Sequence, residues 1–146
     1  MASSHFEQRV IAMQKLAAKY LPHLTSSEHT GLTTFVDCLS QHYGTNLLHV
    51  VLFGSKARGD FHDQSDLDVL VVVRMVDNEY WQHWHEIVDI AWEVGLAYGL
   101  VISAIVKSEH GYVEMCKHQT LLARQVEREG VALWTTRASA SLLQPT

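Results

Sequence analysis

Two short apolar runs, Leu47–Phe53 and Leu67–Val73, stand out from flanking segments in which apolar residues recur every three or four positions. Short branched runs bounded by turn residues predict buried strands, the first over 47–53 and the second over 66–73. Upstream, Phe6, Val10, Ile11, Met13, Leu16, Ala17 and Leu21 have helical spacing over 4–21, and Pro22 ends that helix. A second helix is expected over 27–43, with Leu32, Phe35, Val36 and Leu39 on one side. Thr25-Ser26-Ser27-Glu28 offers its N-caps and Gly44 its stop. A long helix over 78–98 has Trp81, Trp84, Ile87, Val88, Ala91, Val94, Gly95 and Tyr98 as its inner stripe. A strand over 100–106, a helix over 109–128 and a short strand over 131–134 complete the pattern. The order α-α-β-β-α-β-α-β predicts an α/β (α+β) fold: one small mixed sheet with helices mainly on one face. It divides the chain into an N-terminal helical extension (1–26), a main domain (27–136) and a short polar, flexible tail (137–146).

Composition narrows the function. The 146 residues carry 11 Lys+Arg against 16 Asp+Glu, a formal charge of -5, which argues against a protein that lives by gripping nucleic-acid phosphates. No apolar run approaches the ~18 residues of a membrane span. The N-terminus lacks a basic region followed by an apolar core, so no signal peptide is expected and a cytoplasmic location is. Cys38 and Cys116 are read as reduced thiols rather than a disulfide framework. His110, Glu114 and His118 share one helical stripe, read as solvated because no metal-site pattern accompanies it.

The chemistry concentrates between Val51 and Val73. Gly54-Ser55 directly follows the first strand, and Asp66-Leu67-Asp68 opens the second. Glycine allows close backbone approach to a ligand or a positive φ. Ser55 offers a hydroxyl and an N–H to a phosphate, and a short helix over 55–59 would aim its first N–H groups the same way. Asp66 and Asp68, two apart on a strand, project from one face in line with Leu70 and Val72. Two like charges so placed repel unless a cation sits between them. Mg²⁺, which binds through one or two carboxylates plus substrate phosphates, suits them.

The segment Leu52-Phe53-Gly54-Ser55-Lys56-Ala57-Arg58-Gly59-Asp60, continuing through Ser65-Asp66-Leu67-Asp68-Val69-Leu70-Val71, resembles the signature of the DNA polymerase beta-like nucleotidyltransferase superfamily. It is most similar to the single-domain minimal nucleotidyltransferases, with the form Gly-Ser-x10-Asp-x-Asp. Tyr98–Ser103, Val106–Glu109 and Val126–Val131 resemble later segments of such proteins, so the likeness covers roughly residues 27–134. It implies transfer of a nucleoside monophosphate, AMP from ATP, to a hydroxyl. Gly54 and Ser55 would hold the triphosphate, and Asp66 and Asp68 would hold Mg²⁺ as the catalytic pair. Lys56 and Arg58 are either phosphate contacts or a solvated basic turn. Many members have a third acid on the next strand, where the only polar residue here before Lys107 is Ser103. Asp60, His62 and Asp63 in the turn are further candidates to assist.

A chain of this length is expected to meet its acceptor on an open edge or on a partner subunit. Many minimal nucleotidyltransferases pair with a helical HEPN-domain toxin, and some modify its tyrosine with AMP. The resemblance therefore implies an antitoxin that adenylylates a partner protein. A non-catalytic nucleotide- and partner-binding protein is the alternative, and aminoglycoside-like small-molecule modification is a third.

Overall fold

The computed structural model describes residues 24–60 and 66–135. The helix expected over 4–21 and the tail from 137 lie outside the described residues.

Helix α1 (Ser26–Tyr43) starts at Thr25, whose hydroxyl accepts from the Glu28 amide at 3.1 Å while Glu28 accepts from the Thr25 amide at 3.0 Å. This reciprocal capping box satisfies two donors that every helix start leaves open. A 3-10 turn (Gly44–Asn46) leads into strand β1 (Leu47–Phe53), then the single-turn helix α2 (Ser55–Arg58) and strand β2 (Leu67–Val73). After a second 3-10 turn (Asp77–Glu79) come α3 (Tyr80–Tyr98), β3 (Ile102–Ser108), α4 (Glu109–Lys117), α5 (Leu121–Glu129) and β4 (Val131–Thr135).

The strands lie in the order β3-β2-β1-β4. Strand β1 is antiparallel to β2 and β4, whereas β2 and β3 run parallel, joined through α3. Both faces are covered. Helices α1 and α3 pack on one face against Leu52, Leu67, Val69, Val71 and Val73. The short α4 and α5 cover the other with Tyr112, Met115 and Ala123 against Val51, Phe53, Leu70 and Val72. The alternation along β2 is the period-2 signature of a strand buried on both sides. The larger core lies under the long helices, as expected, but the second face also has its own layer.

The main differences from the sequence expectation have local reasons. The helix expected over 109–128 is two. Gln119 takes φ 52, a left-handed conformation that stops α4, and the Thr120 hydroxyl then caps α5 through the Ala123 amide. The third strand starts at Ile102 rather than Leu100, because the Leu100 amide still bonds to the Gly95 carbonyl. Trp81, expected in the inner stripe of α3, is exposed, while Ile87, Ala91, Val94 and Gly95 form the buried face. Among the described residues no helix is long and apolar enough to cross a membrane.

Candidate functional site

The site is built at the end of β1 and the start of β2. Gly54 has φ 82 and ψ -162, and a Cβ there would run into the carboxylate of Asp68. Only glycine satisfies both demands. The chain then winds into α2: the Ala57 and Arg58 amides donate to the Gly54 carbonyl at 3.1 and 3.0 Å, and Gly59, left-handed at φ 90, closes the turn onto Ser55. Ser55 thus stands at the start of the turn, where helical N–H groups point outward.

Antiparallel pairing sets Asp68 opposite Phe53, which brings its carboxylate over the Gly54 corner. Asp68 is half-buried, and Asp66, just before the strand, is exposed. Burial first, and then the nearby Asp66 and Glu129 charges, push the Asp68 carboxyl above its ordinary pKa, while Arg58 opposes them. Two mutually repelling carboxylates beside the glycine corner would suit a hard divalent cation. Among the described residues no three His, Cys, Asp or Glu side chains cluster closely enough to hold a metal alone. His118 bonds instead to Glu114 at 3.1 Å, in keeping with a polar surface stripe.

In the parallel β2–β3 ladder, Asp68 pairs with Ser103. The hydroxyl residue therefore occupies the register position next to Asp68 on the neighbouring strand. His62 and Asp63 lie outside the described residues.

Lys56 requires a correction. Its ammonium contacts Glu28 at 2.9 Å, and the two side chains are only 4% and 8% exposed. The Lys56 side chain forms a buried pair with the start of α1, so it is not part of a solvated basic turn. Sequence alone could not reveal this, because the partner lies 28 positions away (56 − 28). Arg58 remains at the rim. Its Nε–H donates to Asp60 Oδ1 at 3.0 Å and its Nη1–H to Glu129 Oε2 at 2.7 Å.

Glu129 is the residue that sequence reasoning missed. It ends α5, and the following Val131 pairs with Leu52, which carries the glutamate to the glycine corner. Its side chain is 6% exposed, and its second oxygen, Oε1, is buried with no hydrogen-bond partner among the described residues. Its place within the family-like segment Val126–Val131, directly before the helix-breaking Gly130, was the available signal.

Residues 32–132 match the model of the nucleotidyltransferase domain family. The chain belongs to this family. It is 39% identical over 83 residues to MJ0604 of Methanocaldococcus jannaschii, a proposed protein adenylyltransferase, covering 57% of this chain and 76% of that one. A second proposed protein adenylyltransferase of the same organism, MJ0141, is 40% identical over 57 residues, covering 39% of this chain and 56% of that one. Among solved structures, a toxin-antitoxin with AMP-PNP aligns at TM-score 0.44 and 19% identity over 75% of this chain and 82% of that chain. A proposed nucleotidyltransferase from Sulfolobus solfataricus aligns at TM-score 0.41 and 22% identity over 89% of this chain and 86% of that chain. The protein is a nucleotidyltransferase of mixed α/β architecture.

Proposed function

We propose that the protein transfers AMP from ATP to a hydroxyl of a partner protein, with Mg²⁺ held by Asp66 and Asp68. The observation that carries this reading is the contact between the Asp68 carboxylate and the Gly54 corner. This supports a reading in which Asp68 serves as a cation ligand next to a backbone corner open to close approach. The protein acceptor is supported by the relatives named as proposed protein adenylyltransferases. A HEPN-domain toxin, modified on tyrosine with this chain as antitoxin, is the partner that the sequence resemblance implies.

In this reading Gly54 and Ser55 receive the triphosphate, and Arg58 places a positive charge beside it. Asp68 and Asp66 hold the cation, which supplies charge neutralisation on the leaving pyrophosphate. Phosphoryl-type transfer needs positioning and charge stabilisation more than covalent help. With Ser103 beside Asp68, β3 supplies no carboxylate at that register position, so the acceptor's proton passes to water or to a group on the partner.

The test is incubation with α-labelled ATP and Mg²⁺ in the presence of a co-expressed helical HEPN-domain partner. Label on the partner is expected, with a loss of ~10²-fold or more in Asp68→Asn. Unchanged labelling in the Asp66→Asn/Asp68→Asn double variant would refute the assigned roles. ATP affinity without any label would favour a nucleotide-binding partner protein instead, the reading that Ser103 supports.

A further inference from the structure

Arg58 is shared between two unequal carboxylates. Glu129 is 6% exposed and belongs to the last helix, whereas Asp60 is 67% exposed and sits just past the left-handed Gly59. Asp60 takes the Nε edge of the guanidinium, with contacts of 3.0 and 3.3 Å to its two oxygens. Glu129 takes Nη1 through Oε2 alone, and its Oε1 is buried and unpaired among the described residues. An arginine–carboxylate pair is strongest when two parallel N–H groups meet both oxygens. Here only half of that end-on pair is made. A buried acceptor without a partner is costly, and native structures rarely keep one unless something comes to satisfy it.

We propose that Asp60 is a displaceable stand-in for a nucleotide phosphate on Arg58, and that Glu129 is the fixed anchor of that arginine. This rests on the nucleotide-binding reading above. A phosphate reaching the rim meets the same Nε edge that Asp60 holds. Once Asp60 yields, the guanidinium turns about its Nη1 contact and brings its second terminal nitrogen to Glu129 Oε1. The buried oxygen is then satisfied, and the outer edge faces the phosphate. Asp60 therefore competes with substrate, while Glu129 cooperates with it. Glu129 is a positioning residue that acts through Arg58.

The two acids must then have opposite effects. Calorimetric titration with AMP-PNP and Mg²⁺ should show Asp60→Asn binding about 2–5-fold tighter, the scale of an exposed ion pair removed from the competition. Glu129→Gln should bind about 10-fold more weakly, and Asp60→Asn should bring no gain in its presence. A purely structural role for Glu129 would weaken both backgrounds equally and leave the Asp60→Asn gain intact. Unchanged or weaker binding in Asp60→Asn overturns the stand-in, whatever the fate of Glu129→Gln as a folded protein. Should the wild type bind no AMP-PNP, the nucleotide reading falls by itself. The titration is then repeated with inorganic triphosphate and Mg²⁺, where a gain in Asp60→Asn supports the stand-in and its absence removes it.

Discussion

Replacing Lys56 with methionine separates a structural lysine from a phosphate-binding one. Lys56→Met keeps the length of the stem and removes the ammonium that lies 2.9 Å from Glu28. It strands Glu28 Oε2 in an environment where the side chain is 8% exposed, while Oε1 goes on accepting from the Thr25 amide. Breaking a buried ion pair by removing one partner costs ~3–5 kcal/mol, because the remaining charge has lost its counterpart. For a chain near this size each kcal/mol lowers Tm by ~2–4 °C, so a drop on the order of 10 °C is expected. The deficit depends on pH with a definite sign. In the wild type, burial raises the Glu28 carboxyl, but the hydrogen bonds from Thr25 and Lys56 outweigh it and leave its pKa below 4.5. Its stabilisation is thus present above pH 4.5 and lost as pH falls through the lowered value. In Lys56→Met the stranded carboxylate has lost the lysine, so it protonates more readily and the deficit shrinks in acid. Urea unfolding at pH 7 and pH 4 measures both effects, and adding Glu28→Gln should recover part of the loss. A stability change under ~1 kcal/mol, the scale of an exposed pair, together with weakened nucleotide binding, would refute the buried-pair account and return Lys56 to the phosphates.

Gly54→Ala should abolish nucleotide binding, since its Cβ meets the Asp68 carboxylate and its φ of 82 disfavours any side chain; retained Mg²⁺–AMP-PNP affinity in titration would contradict the geometry. His49 is buried beside Tyr112 with Nδ1 2.8 Å from the Thr135 hydroxyl, and burial lowers its pKa from 6.5 to about 4. The unfolded chain therefore binds the proton first, and stability is full above pH 6.5 and declines towards pH 4, by up to about 3 kcal/mol. His49→Phe should flatten that part of the stability–pH curve, and an unchanged slope would count against the buried neutral imidazole.

Much of this architecture was legible because it follows from local periodicity. The apolar runs of β1 and β2 and the i, i+3, i+7 spacing within α3 identify elements without any knowledge of their neighbours. The Gly54-Ser55 corner and the Asp66/Asp68 pair were equally visible, since glycine and paired carboxylates on an apolar strand each have few local explanations. What escaped was non-local. Lys56 and Arg58 are two basic residues of one short turn, yet the fold sends the first inward to Glu28 and leaves the second at the rim with Glu129. Nothing in their spacing distinguishes them. The split of the last long helix turned on one left-handed residue, Gln119, where a glycine would have announced the break. The Ser103 position was readable only as an absence of acid; the ladder places it directly beside Asp68.

Helix α5 buries only Ala123 fully, packs Leu122 and Val126 partly against the sheet and leaves Leu121 in solvent. Its final residue nevertheless grips Arg58 across 71 positions of chain. Fraying of this short segment would release the guanidinium before the β-layer opened. Amide exchange at Val126–Glu129 therefore reports on the Arg58–Glu129 contact, and phosphate binding at Arg58 should slow it.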